Sequence, residues 1–80
     1  MDIQVLGPGC KNCSNLEKAT AEALEQLGMA QEITKITDYG QIAAYGVMKT
    51  PALRIDGEIK VSGRVPSVEE ITKIISEATR

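Results

Sequence analysis

Cys10 and Cys13 are the only cysteines in the chain, and they stand close together in Gly7-Pro8-Gly9-Cys10-Lys11-Asn12-Cys13. Two thiols at that spacing admit three roles: a reversible dithiol/disulfide pair, two ligands of a metal ion, or small apolar residues filling a core. Their setting bears on the choice. Ile3, Val5 and Leu6 form a short apolar stretch that Gly-Pro-Gly ends, and Leu16, Ala19, Ala23, Leu24 and Leu27 then recur at helical spacing. The cysteines therefore sit where a strand gives way to a helix. A helix N-terminus carries unpaired N–H groups and about half a unit of positive charge. A thiolate there is stabilised, which lowers a thiol's pKa from its free value of about 8.5, and Lys11 adds positive charge in the same sense. Only the thiolate attacks a disulfide. Cys13 is in register with Leu16 on the helix's apolar face, whereas Cys10 stands a turn earlier at the fraying end. Cys10 is thus expected to be the exposed, attacking thiol and Cys13 the partly covered, resolving one.

The metal reading uses the same thiolates. The chain has no histidine, which removes the commonest metal ligand and the commonest general base. A structural zinc site usually takes four ligands. A single CxxC supplies half of them, so zinc would require a dimer. Copper-chaperone-like domains also carry CxxC after a first strand, but they usually place Met two residues before the first Cys, where this chain has Pro8. They also end on a strand, whereas this chain ends in a helical pattern. Met29 and Met48 are not spaced with the cysteines as copper ligands would be.

The elements that must position the thiols follow from periodicity. The first strand is expected over residues 2–6, and the first helix ends at Gly28. Ile33 and Ile36 among threonines predict a second strand over residues 32–37. Asp38 with Gln41 reads as a capping box opening a short helix that ends at Gly46. Leu53, Ile55, Ile59 and Val61 alternate around Asp56-Gly57, a hairpin signal. Pairing Ile55 with Ile59 needs a three-residue loop or a bulge, and the longer loop is expected. Ser67 with Glu70 is a second capping box, opening a helix whose apolar face is Val68, Ile71, Ile74, Ile75 and Ala78. The order βαβαββα implies an α/β fold: a four-stranded mixed sheet flanked by helices. Its first two strands are parallel through a right-handed crossover and its last two form an antiparallel hairpin.

Composition bounds the rest. Eighty residues without repeats or linkers make a single domain, residues 1–80. With no Phe or Trp and two Tyr, the core must be aliphatic. The net charge is −2 with dispersed Lys and Arg, which supplies no basic patch for nucleic acid. The N-terminal residues lack a signal-peptide pattern, and no stretch approaches the roughly 18 apolar residues of a membrane span. A cytoplasmic location is expected. In that reducing compartment a thiol pair is catalytic or metal-binding rather than a permanent staple.

Met48-Lys49-Thr50-Pro51-Ala52-Leu53 places a proline at the start of the third strand, a position compatible with strand geometry. CxxC after the first strand, Thr-Pro opening the third, a hairpin and a final helix together resemble the thioredoxin/glutaredoxin superfamily, over the whole chain. Gly-Pro-Gly-Cys, Tyr-Gly-Val-Met-x-Thr-Pro and Ser-Gly-Arg-Val-Pro-Ser look most like its small redox-active disulfide proteins of prokaryotes. The resemblance implies a thiol–disulfide oxidoreductase with Cys10 as nucleophile and Cys13 resolving. Its cofactor would be none beyond the reversible Cys10–Cys13 disulfide. It implies that Pro51 is a cis-proline facing the pair and that the Thr50 backbone meets an extended substrate segment. It further implies disulfide-containing protein partners, an electron donor of the flavin-dependent thioredoxin-reductase type, and a monomer. Departures are present. Lys-Asn replaces the usual Gly-Pro between the cysteines, Gly9 stands where thioredoxins carry Trp, and Ser62-Gly63-Arg64-Val65-Pro66 replaces the glutathione-binding pattern. Thioredoxins carry a buried acid beneath the second cysteine; no clear equivalent stands near Gln4, so the sequence identifies no proton acceptor for Cys13, and Glu17 and Lys49 are read as surface charges. Two rival functions use the same fold or thiols: a metal-binding or metal-delivery domain, and a non-catalytic thioredoxin-fold binding module.

Overall fold

β1 (Ile3–Leu6), α1 (Lys11–Gln26), β2 (Ile33–Ile36), α2 (Tyr39–Ala44), β3 (Ala52–Ile55), β4 (Glu58–Ser62) and α3 (Val68–Ala78) follow one another in the βαβαββα order expected. The structure, a computed structural model, describes residues 2–9 and 11–78. The sheet order is β2-β1-β3-β4. β1 runs parallel to β2, with Ile3 opposite Ile33, and antiparallel to β3, with Ile3 opposite Ile55. Because β1 and β3 are the inner strands, both of their faces are covered, and most of their residues are buried. The edge strands β2 and β4 are only partly buried.

The sheet separates two apolar clusters. On one face Ile3, Val5, Leu53, Ile55 and Val61 pack against Leu16, Ala23 and Leu24 of α1 and against Ile71 and Ile75 of α3. On the other, Leu6 and Ala52 pack against Ile42 of α2 and Val47 just beyond it. The core is aliphatic on both sides, as the composition requires.

Gly28 ends α1 as expected. It has φ +68, its N–H donates to the Glu25 carbonyl, and the Met29 N–H donates to the Leu24 carbonyl, which is a Schellman closure. Met29 then packs on the same cluster as Leu24. Gly46 closes α2 in the same way, through Gly46 N–H to Ala43 O and Val47 N–H to Ile42 O. Leu27, counted on the apolar face of α1 from its spacing, lies past the helix end and is exposed. At the start of α2, the Asp38 carboxylate accepts from the Gly40 N–H at 3.0 Å. At the start of α3, Ser67 Oγ accepts from the Glu70 N–H at 3.2 Å. Glu70 does not complete the expected reciprocal box; its carboxylate pairs with Arg64 instead.

The hairpin corrects one expectation. Ile55 pairs with Glu58 across a two-residue Asp56-Gly57 turn. Asp56 and Gly57 both have positive φ, 51 and 84, the signature of the tight hairpin turn whose twist matches the strands. The extra residue enters one step later. Arg54 faces Ile59 while Leu53 faces Val61, so the irregularity sits between Leu53 and Arg54. That bulge inverts the alternation. Val61 packs with the α1/α3 cluster and Ile59 with the α2 cluster.

Candidate active site

β1 ends at Leu6, and the Gly7 N–H extends the parallel ladder by donating to the Ile36 carbonyl at 2.8 Å. The chain then turns through Pro8 and Gly9, whose φ of +92 belongs to the region glycine enters without steric cost. α1 opens directly after this turn. Cys13 lies in its first part and is 6% exposed. It stands one turn before Leu16, on the face that meets the sheet. Its register with Leu16 on the apolar face predicts this burial. Cys10, expected to be the exposed nucleophile, lies outside the described residues.

Two other segments close on Cys13. Gly7 is buried, and a Cβ at Gly7 would lie 2.2 Å from Cys13 Sγ, 3.1 Å from Cys13 Cβ and 3.9 Å from Pro51 Cα. Gly7 is therefore the spacer between the thiol and the loop that opens β3. The Thr50–Pro51 peptide bond is cis; Pro51 is buried and Thr50 half-buried. Two hydrogen bonds from the end of β4 hold this loop: Gly63 N–H to Pro51 O at 2.9 Å, and Ser62 Oγ–H to Lys49 O at 3.0 Å. Gly63 has φ +81, and a Cβ there would lie 3.0 Å from Lys49 Cβ. The Ser62-Gly63 pair and the Lys49-Thr50-Pro51 loop thus fit backbone to side chain.

A chain with this order, this sheet and a proline loop beside a helix-borne thiol can be compared with known proteins. The family model described as thioredoxin domain matches residues 1–76. The chain belongs to the thioredoxin family. It is 49% identical over 76 residues to a protein named thioredoxin from Methanothermobacter thermautotrophicus, covering 95% of this chain and 99% of that one. It is 41% identical over 69 residues to a thioredoxin from Methanocaldococcus jannaschii, covering 86% of this chain and 79% of that one.

In this thioredoxin-family chain the surroundings of Cys13 hold more chemistry than its sequence signals. Cys13 opens on a cavity of about 200 Å³ that Gly7, Gly9, Ser14, Glu17 and Lys35 also line. Lys35 Nζ stands 3.0 Å from the Glu17 carboxylate. Glu17, read from sequence as a surface charge, has a side chain only 35% exposed and shares this cavity with the thiol. Lys49 is exposed, as expected of a surface charge. Spacing alone could have suggested Glu17, which follows Cys13 by four residues and so falls on the same helix face. Nothing in the sequence points to Lys35, which reaches the cavity from β2.

Neither tyrosine is among the residues that line the thiol's cavity. Tyr39 is exposed. Tyr45 joins the α2 cluster, and its ring lies under the Arg54 guanidinium at 4.1 Å, a cation–π contact. Arg54 also donates to Gln4 Oε1, so the polar residues of the inner strands satisfy one another on the α2 face. Met48, just before the proline loop, is 96% exposed. Among the described residues no cluster of three or more Cys, Asp or Glu is arranged to hold a metal ion, and no helix is long and apolar enough to cross a membrane.

Proposed function

We propose that residues 1–80 form one domain that exchanges disulfides with protein partners through Cys10 and Cys13. Membership of the thioredoxin family supports thiol–disulfide exchange as the general activity. The observation that carries the specific reading is the approach of Cys13 to Pro51 across Gly7, where no side chain fits between them. In the proposed cycle the Cys10 thiolate attacks one sulfur of a substrate disulfide. A Cys10–substrate disulfide forms and one substrate thiolate leaves. The Cys13 thiolate then attacks Cys10 sulfur, forms the Cys10–Cys13 bond and releases the second substrate thiolate. The substrate gains two electrons and the protein dithiol loses them. Thr50 offers its backbone to the extended segment around the substrate disulfide, in the manner of an added strand. Pro51, which has no N–H to offer, covers the pair. A flavin-dependent reductase of the thioredoxin-reductase type returns the electrons to the cytoplasmic, monomeric protein, and no bound cofactor takes part.

Mass spectrometry of trapped intermediates tests this assignment. Incubated with a disulfide-bonded peptide, Cys13→Ser accumulates a stable mixed disulfide on Cys10, and Cys10→Ser forms none. A mixed disulfide carried on Cys13, or multiple turnover by either variant at the wild-type rate, overturns it.

A further inference from the structure

The cavity beside Cys13 raises a question that the dithiol cycle leaves open. Cys13 is 6% exposed, yet it must lose its proton before it can attack Cys10, because the thiol form is not the nucleophile. A base therefore has to reach a covered sulfur. Among the described residues, the ionisable groups lining the cavity besides the thiol are Glu17 from α1 and Lys35 from β2. β1 and the loop after it contribute Val5, Gly7 and Gly9, and the proline loop brings Pro51 to Gly7, none of which titrates. Glu17 lies one helical turn beyond Cys13 on the same face. Lys35 holds its carboxylate from across the crossover at 3.0 Å, which fixes the direction of a side chain that would otherwise sample solvent. A cavity of this volume admits water, so a proton can pass between thiol and carboxylate directly or across one water.

We infer that Glu17, oriented by Lys35, is the proton acceptor for Cys13 in the resolving step and its proton donor when the disulfide is reduced. This rests on the dithiol reading above. As the Cys13 S–H bond breaks, the proton goes to the Glu17 carboxylate. The sulfur's electron pair forms the bond to Cys10, and the Cys10–substrate bond breaks with its pair leaving on the substrate sulfur. Glu17 then loses the proton through the cavity to solvent. Lys35 is a positioning residue: its charge keeps an anion on that wall of the cavity.

The test separates the two chemical steps in the full-length, reduced protein with a chromogenic aromatic disulfide followed by stopped flow. The first equivalent of coloured thiolate reports attack by Cys10, and the second reports resolution by Cys13. Glu17→Gln is expected to slow the second release about 10²-fold near neutral pH, within the range a positioned acid or base contributes. The deficit closes at alkaline pH, where hydroxide does the same work. Glu17→Asp recovers part of the rate. Lys35→Gln leaves the first release unchanged and slows the second by less than Glu17→Gln does, because the carboxylate then loses the partner that holds it on the cavity wall. A second release in Glu17→Gln with the wild-type rate and pH profile overturns the assignment. So does a variant that slows both releases alike, which marks Glu17 as structural. A wild-type protein that releases only one equivalent overturns the dithiol reading itself, an outcome distinct from loss of the Glu17 role.

Discussion

Gly7 sets how close the thiol of Cys13 comes to the proline loop. Its requirement is steric: it has no positive φ, but the Cβ of any other residue would fall 2.2 Å from Cys13 Sγ. Gly7→Ala must therefore turn the Cys13 side chain or push α1 and the proline loop apart. Overpacking of this kind costs about 1–3 kcal/mol. Urea unfolding of the reduced variant is expected to show a loss of that size, together with slower release of substrate thiol. A variant with wild-type midpoint and kinetics would mean that Gly7 is not the spacer. At this scale the sequence is most legible where chemistry is written in residue types. The cysteines and Thr50-Pro51 stand out by type and spacing, and Cys13 is covered as its register predicts. The role of Gly7 and the Glu17–Lys35 pair are not legible, because each depends on a contact between elements that no local pattern encodes.

The elements were legible from periodicity, and their ends from glycine. Schellman closures at Gly28 and Gly46 stop α1 and α2 where the sequence places the stops. The hairpin shows the limit. The alternation Leu53, Ile55, Ile59, Val61 demands an extra residue, but pattern alone cannot say whether it sits in the turn or in the strand. Asp56 and Gly57 both accept positive φ, so the tight turn forms and the irregularity moves into the ladder. The start of α3 carries an electrostatic prediction. Arg64 donates a hydrogen bond to Glu70 and adds its positive charge, which holds the Glu70 carboxyl below the usual carboxylate range. A carboxyl depressed in the folded state contributes stability at neutral pH that is lost as pH falls through its folded pKa. Both groups are exposed, so the contribution is small. Arg64→Gln is expected to return the Glu70 titration, followed by carboxyl NMR, to the ordinary range. An unchanged titration would show that Arg64 is not the cause.

Across the whole molecule, the sheet order brings distant parts of a short chain to one end. β1 lies between β2 and β3, so the turn after β1, the C-terminal end of β2 and the loop before β3 meet at the same edge. These carry Gly7, Lys35 and Pro51, and α1, which begins there, carries Cys13 in its first turn. The remaining strand, β4, returns to pin the proline loop through Ser62 and Gly63. The fold class followed from element order alone, because a crossover helix makes the first pair parallel and a tight turn makes the last pair antiparallel. The central claim is that Cys10 and Cys13 interconvert between dithiol and disulfide. The measurement that tests it most directly is the reduction potential of that pair, read by thiol trapping in defined dithiothreitol buffers with metals chelated. The account predicts a reversible two-electron couple at about −200 to −300 mV, among thioredoxin- and glutaredoxin-type carriers. A protein that forms no intramolecular disulfide in oxidising buffer would contradict it and make metal binding by the same thiolates the leading explanation.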